Sequence, residues 1–264
     1  GRVQISLGKF FHIGSTYYST RFDRPFLEER LYDFSGRESH VLGADFDFLW
    51  ERINFFGEWA RSHTGTFGGI GGAVVHVTKG TDFVVSVRNY PRDFISLHGY
   101  GFGERSGTTQ NEFGVYTGLR LRLVSGFILS GYYDQFKFPW QTATIPFPIQ
   151  GNDFLLSAEL RPFRKFTLEM KYKSETKGDA VATTDEFGRA VNSLTDRTQR
   201  NGRVTALFDV SRELRVRGRI ELVKVEYSEF ASGGKGVLLY QDLRWKPSSQ
   251  FTIDARFIFF DTDS

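Results

Sequence analysis

The sequence has no cysteine, a single methionine and only seven prolines among 264 residues. Without cysteine it can form neither a disulfide framework nor a thiolate metal site. It also lacks long apolar runs: Phe257–Phe260 is typical of the longest, whereas a transmembrane helix needs roughly 18 residues. There is no secretory signal, because the chain opens on strand-like Gly1-Arg2-Val3, so we expect a mature product or a fragment.

Neither positive nor negative charge is in large excess. The formal net charge of +3 is small beside 34 basic and 31 acidic side chains, so composition gives no argument for a nucleic-acid partner. Aromatic residues and glycine are abundant instead, with 28 Phe, 11 Tyr, 4 Trp and 28 Gly. Such a composition favours strands and turns over helices.

The clearest pattern lies between Asn111 and Phe138. Every second residue from Phe113 to Leu123 belongs to one largely apolar face, and glycine, tyrosine and charged residues occupy the other. Alternation with a period of two predicts a strand with one apolar and one charged side. After a reversal at Val124–Gly126 the pattern resumes. Each arm has roughly ten to twelve residues, about the length of a tilted membrane-spanning strand.

The same alternation predicts about thirteen strands in a single domain covering residues 1–264. Short turns are expected near residues 51, 80, 125, 163, 212 and 248, whereas most segments between them are long, including 14–39, 91–110, 139–152 and 174–197. Long and short connections that alternate place all the long ones on one rim. This arrangement is typical of an antiparallel up-and-down β-barrel of a bacterial outer membrane.

An odd strand count predicts an incomplete barrel. Single-chain bacterial barrels have even numbers of strands, whereas about thirteen strands would start at the short-turn rim and finish, near Phe260, on the other. We therefore expect at least one more strand to follow Ser264.

Alternation alone does not say which face is buried. A soluble β-sandwich or lipocalin-like binding protein would turn the same apolar residues inward. Three features favour a membrane barrel that contacts outer-membrane lipid: the long strands, the alternating loop lengths, and the aromatic residues Trp50, Tyr172 and Trp245, which we expect at strand ends as an interfacial girdle.

The polar face carries the predicted functional residues. Basic side chains outnumber acidic ones in the proposed lumen lining, which consists of Arg120, Arg122, Glu159, Arg161, Glu169, Lys171, Lys173, Arg203, Arg215, Arg217, Arg219, Asp242, Arg244, Asp254 and Arg256. Rings of Arg and Lys favour anions, which predicts a porin-like channel for small solutes, anions included. Two alternatives stay open: a polar interior held together by salt bridges, and a structural barrel that serves a larger envelope or uptake assembly without conducting.

Signals for an enzyme, cofactor or metal are weak. Gly99, Gly101 and Gly103 have the wrong spacing and context for a nucleotide loop, and predict a flexible or in-folded loop instead. The five histidines have no metal-binding spacing (His12, His40, His63, His76 and His98). No nucleophile elbow is present, and His76 with Ser86 lacks a supporting motif. We therefore predict neither catalysis nor a cofactor.

Several segments resemble a known family. These are Pro91–Phe94, His98–Glu104, Tyr133–Trp140, Leu239–Asp242 and Phe260–Ser264. They are similar to the barrel portion of the helix-hairpin-helix-containing outer-membrane proteins of Gram-negative bacteria. The resemblance implies an outer-membrane barrel that follows, in that family, a small helical module related to DNA-uptake proteins. That module is not in this sequence, so no DNA-binding role and no catalytic residue is carried over.

Overall fold

The computed structural model describes residues 1–28, 32–105, 109–142 and 144–263, and it is all β. The strands are β1 (Arg2–Leu7), β2 (Phe11–Phe26), β3 (Gly36–Trp50), β4 (Ile53–Ser62), β5 (Phe67–Thr78), β6 (Thr81–Tyr90), β7 (Glu112–Val124), β8 (Phe127–Phe138), β9 (Ile149–Phe163), β10 (Phe166–Thr184), β11 (Ala190–Asp209), β12 (Leu214–Tyr227), β13 (Gly234–Trp245) and β14 (Ile253–Thr262). The described part contains no helix long and apolar enough to cross a membrane.

The strands are hydrogen-bonded in chain order from β1 to β14 in one 14-stranded sheet. The ladders with a determined register are antiparallel, as in the pairing of Phe166 with Phe208 between β10 and β11 and of Val216 with Leu243 between β12 and β13. The prediction of an all-β, antiparallel, up-and-down fold is therefore confirmed. Within the described residues no ladder joins β1 to β14, so the sheet is open between these two strands.

The count of fourteen strands corrects the predicted count of about thirteen. Val3, Ile5, Leu7 and Phe11 lie at alternate positions and so predict a single strand. The chain instead turns at Gly8, whose φ of +68° suits glycine. Leu7 then pairs with Phe11. The turn therefore separates β1 from β2. The described residues thus contain an even number of strands, so an odd count no longer supports an incomplete barrel, and the further strand expected after Ser264 stays a prediction.

Two segments that we expected to be long loops are largely strand. Residues 174–197 continue β10 and β11 as a hairpin, with Lys177 opposite Arg197 and Thr184 opposite Ala190. Residues 14–39 belong mostly to β2 and β3, although positions 29–31 of this segment lie outside the described residues. Polar side chains on both faces hid these extensions, because a strand that has no apolar face shows no alternation of hydropathy.

The chain forms two compact units. Unit 1 comprises Gly1–Gly118 and Asp134–Asn152, and unit 2 comprises Leu119–Tyr133 and Asp153–Ser264. Unit 1 contains a small buried apolar cluster of Phe136, Phe138 and Ile149. Phe136 and Phe138 follow Asp134 at alternate positions of β8, so this cluster lies on the polar face of that strand.

The apolar face is uncovered in both units. In unit 2, Ile220 is 49% and Leu222 is 55% exposed, and in unit 1 Leu42 is 52% exposed. Every residue of β1 and of β14 is exposed on both faces. A sheet with aliphatic side chains open on one face and charged side chains on the other has the reverse of the burial expected in a water-soluble protein.

Candidate functional site

The strand register assembles the predicted lumen residues of β10–β14 on one face of unit 2, which we call the charged face. Lys171 pairs with Arg203, and Arg203 in turn pairs with Glu221. Two rows nearer the short turns, Arg217 pairs with Asp242, which pairs with Arg256. Directly opposed residues of neighbouring strands point to the same side of a sheet, so alternation and register together place these side chains side by side.

Ion pairs cross-link most of this face. Arg203 donates two hydrogen bonds to Glu221, at 2.8 and 2.9 Å. Asp242 accepts from both Arg217 and Arg256. The other pairs are Arg161–Glu159 at 2.7 Å, Lys173–Asp153 at 3.0 Å, Lys173–Glu175 at 3.1 Å, Arg215–Asp209 at 2.6 Å and Arg244–Asp254 at 2.7 Å. Seven of the predicted basic residues therefore have carboxylate partners.

Four of the predicted cations have no ion-pair partner within the described residues, namely Arg120, Arg122, Lys171 and Arg219. Three of them, Arg120, Lys171 and Arg219, line one cavity of unit 2 together with Arg203. Its volume is about 460 Å³, and its two carboxylates belong to Glu159 and Glu169. The alternation of the sequence placed these cations on the charged face, but only the register and the cavity bring them together.

A second cavity of unit 2, of about 590 Å³, lies beside β14. It is lined by Arg215, Arg217, Arg244 and Arg256 together with Asp242 and Asp254. Here every guanidinium has a carboxylate partner. The two cavities therefore have the same number of lining cations but differ in how these are neutralised.

Unit 1 contains a buried charge cluster that the alternation of the sequence does not single out, which we call the Arg88 cluster. Arg88 on β6 is 1% exposed and donates to both carboxylate oxygens of Asp134 on β8, at 2.8 and 3.0 Å. Its Nε donates to Glu112 on β7 at 2.6 Å, and Glu112 is also 1% exposed. All three residues lie on the polar faces of their strands, and this was the only signal in the sequence.

The segment 91–105 packs against the Arg88 cluster. Its Phe102 ring lies 5.3 Å from the Arg88 guanidinium and meets Tyr116 edge-on. The Phe102 carbonyl accepts from the Tyr90 hydroxyl, and the Glu104 amide donates to Glu112 at 2.9 Å. Burial lowers the pKa of Arg105 in this segment, while the carboxylates of Glu112 and Glu104 act in the opposite direction. Positions 106–108 of the predicted loop lie outside the described residues.

Glycines permit this packing. A Cβ at Gly103 would lie 2.9 Å from Glu112 Oε2, and one at Gly114 would collide with the Arg88 guanidinium. The glycine-rich stretch around Gly101 thus lets the backbone approach the cluster closely. It does not lie between a strand and a helix, as a nucleotide-binding loop would require.

Of the three aromatic residues predicted at the membrane interface, two lie at strand ends and one lies within a strand. Trp50 ends β3 and Trp245 ends β13, and both are exposed. Tyr172 is exposed too, but it lies inside β10, which runs on to Thr184. Our expectation that Tyr172 stands at a strand end was therefore wrong, because the strand is longer than the hydropathy alternation shows. An interfacial role for the three residues stays a prediction.

The histidines form no metal site in the described ranges, where no group of three or more His, Asp and Glu side chains could hold an ion. His76 lies opposite Asp82, whereas Ser86 lies opposite Gly72. The ladder thus separates the candidate pair His76 and Ser86 by four residues, about 13 Å at ~3.3 Å per residue. The absence of a cofactor and of catalysis stays a prediction.

No family model matches the sequence, and no curated protein matches it. Three similar solved structures are of outer membrane proteins of Vibrio cholerae. A loop L8 deletion mutant of OmpT is 13% identical with a TM-score of 0.42, covering 100% of this chain and 95% of that one. In-vitro folded OmpT is 12% identical with a TM-score of 0.44, covering 96% and 87%. Outer-membrane expressed OmpT is 12% identical with a TM-score of 0.41, covering 98% and 89%.

At these identities and TM-scores the likeness carries no location, solute or activity over to this chain. It also does not bear on the resemblance to the helix-hairpin-helix-containing proteins, which stays a prediction.

Proposed function

We propose that the chain is a β-barrel of a bacterial outer membrane and acts as a channel with a basic lumen for small solutes, anions above all. One observation carries the proposal: the aliphatic face of the strands is uncovered, while the opposite face is cross-linked by ion pairs. Lipid would cover the aliphatic face, and enclosed water would hydrate the charged face. A membrane-spanning sheet must also pair all its backbone groups, which requires closure into a barrel.

The membrane part of the proposal follows from the exposed apolar side chains. On β12 the residues Val216, Ile220 and Leu222 alternate with Arg217, Arg219 and Glu221. Burying one such side chain contributes about 1.5–3 kcal/mol, so a face of this kind along many strands would drive insertion into lipid. Long strands such as β10 and β11 also exceed an apolar band of about 25 Å, and their polar extensions fit a hairpin that projects from the membrane.

The channel part follows from the charged face. A guanidinium or ammonium group in a dry interior needs a carboxylate partner, because its desolvation is costly. Arg120, Lys171 and Arg219 have none in the described part of the chain, which fits a water-filled space beside them. Their positive excess favours anions over cations.

A second candidate function is a scaffold barrel without conductance. The Arg88 cluster favours it, because segment 91–105 contacts the polar faces of β6 and β7 at Arg88 and Glu112 in unit 1. A lumen filled by its own loops would hold the strands together without passing solute.

Conductance in a planar lipid bilayer separates the two functions. For a channel we expect discrete current steps, with a reversal potential in a KCl gradient that reports preference for chloride. Arg120→Gln combined with Lys171→Gln should reduce this preference, whereas Arg120→Lys combined with Lys171→Arg, which keeps both charges, serves as the matched control. Correctly folded protein without current steps would favour the scaffold, and a preference for potassium would contradict the basic lumen.

A further inference from the structure

The cavity lined by Arg120, Lys171, Arg203 and Arg219 combines charges that do not cancel. Arg203 is neutralised by Glu221, and the lining carboxylate of Glu159 by Arg161. What remains within the described residues is three cations, Arg120, Lys171 and Arg219, and one carboxylate, Glu169. The cavity therefore has an excess of two positive charges.

One donor in this cavity lacks an acceptor. Arg219 Nε is buried and makes no hydrogen bond within the described residues. The guanidinium group lies 4.7 Å from the ring centroid of Tyr240. A ring face attracts the cation but supplies no acceptor in the plane of the N–H groups, so a buried donor is left without a partner, which is costly.

The neighbouring cavity beside β14 shows that this is not a general property of the charged face. It has four lining arginines, and each is paired with Asp209, Asp242 or Asp254. Arg217 and Arg219 lie two residues apart on the same face of β12 and both contact the Tyr240 ring. Of these two arginines, Arg217 is paired with Asp242, whereas Arg219 has no carboxylate partner within the described residues.

We infer that the cavity of Arg120, Lys171, Arg203 and Arg219 binds the phosphoryl group of a small solute. A guanidinium fork matches phosphate oxygens in a two-pronged geometry, and lysine adds a compact charge. An excess of two positive charges matches a dianion. The volume of about 460 Å³ lies in the range of small-molecule sites, so either free phosphate or a phosphate ester fits. The inference rests on the proposed function, because it requires water and solute to reach the charged face.

The test uses the full chain refolded in detergent, with inorganic phosphate and glucose 6-phosphate as separate titrants in a calorimeter and glucose as the uncharged control. We expect Arg219→Gln and Lys171→Gln each to weaken phosphate binding about tenfold or more, since each removes a charge-assisted hydrogen bond. Arg217→Gln is the matched control and should change the affinity by less than about twofold. Resistance to unfolding in dodecyl sulfate before heating shows that each variant is folded.

The possible results distinguish a failure of the phosphate site from a failure of the proposed channel function. Phosphate binding that depends on Arg219 and Lys171 supports the site, even if bilayers show no current and the channel function fails. Binding of the ester but not of free phosphate also supports it and identifies an organic solute. Anion-selective current with no phosphate binding, or an equal loss in Arg217→Gln, overturns the site and leaves the channel in place.

Discussion

Arg88 and Asp134 form a two-pronged ion pair with N–O distances of 2.8 and 3.0 Å, and Arg88 is only 1% exposed. The same guanidinium holds Glu112, whose Oε2 has no hydrogen-bond partner within the described residues. One buried cation thus serves two carboxylates on neighbouring strands.

Replacing Arg88 by Gln should destabilise the protein strongly. Both carboxylates would stay buried without the guanidinium group that they share, and breaking a buried ion pair on one side costs about 3–5 kcal/mol. Urea titration of the detergent-folded protein measures the change. Arg244→Gln is the control, because its partner Asp254 is half exposed and solvated. A loss no larger in Arg88→Gln than in this control would contradict a structural role for the cluster.

Adding one methyl group at Gly114 should loosen segment 91–105. The new Cβ collides with the Arg88 guanidinium, which cannot move without breaking its bonds to Glu112 and Asp134. We expect faster trypsin cleavage after Arg105 in Gly114→Ala than in the parent. Gly202→Ala is the control, because a Cβ there meets nothing within 4 Å. Equal cleavage of both variants would show that the segment does not depend on the cluster.

Introducing an arginine on the apolar face should strongly lower the stability of the folded protein, whereas removing an arginine from the charged face should lower it much less. Ile220→Arg is expected to destabilise the folded protein in lipid vesicles by roughly 2–4 kcal/mol, the cost of Arg near the bilayer midplane. Arg219→Leu on the neighbouring position should fold with a much smaller loss. Equal tolerance of the two changes in folding titrations would mean that the faces are assigned wrongly.

Lowering the pH should destabilise the fold where β4 ends, next to His63. Burial lowers the pKa of His63, which follows this strand, below its ordinary value of 6.5, and the neighbouring His40 acts in the same direction. A depressed folded-state pKa stabilises the fold above pH 6.5, and this contribution is lost as the pH falls through the folded-state pKa. The thermal midpoint should therefore drop more steeply in the parent than in His63→Gln as the pH falls below 6.5. Parallel pH profiles would rule this out.

The sequence predicted the fold class and both faces of the strands, because alternation encodes which way each side chain points. It did not predict register, so Arg88, Glu112 and Asp134 appeared as three unrelated polar residues, 24 and 46 positions apart. It also missed β2, because Phe11 continues the alternation of Val3 and Leu7 across the turn at Gly8, and residues 14–26 have no apolar face. The extension of β10 past Tyr172 was missed because polar residues occupy both of its faces there.

In the candidate site, too, alternation predicts which residues share a face, whereas their partners depend on strand register. Alternation alone predicts all fifteen lining residues, and Arg219 and Arg217 are equivalent by that criterion. Only the ladder of β12 with β13 places Asp242 opposite Arg217 and an aromatic ring, Tyr240, opposite Arg219. The difference between a neutralised and an unneutralised cation is therefore a property of the register.

The central claim, that the aliphatic face contacts lipid and the charged face contacts water, is tested most directly by cysteine accessibility. The chain has no native cysteine, so each introduced thiol is unique. In lipid vesicles, Arg217→Cys and Arg219→Cys should react with a charged, membrane-impermeant maleimide. Ile220→Cys and Leu222→Cys should not react with this maleimide. In separate samples, a fluorophore attached to either of these two thiols before refolding should have its emission quenched by lipid-attached nitroxides. Equal maleimide reactivity at all four positions, or quenching at Arg217→Cys and Arg219→Cys instead, would contradict the account.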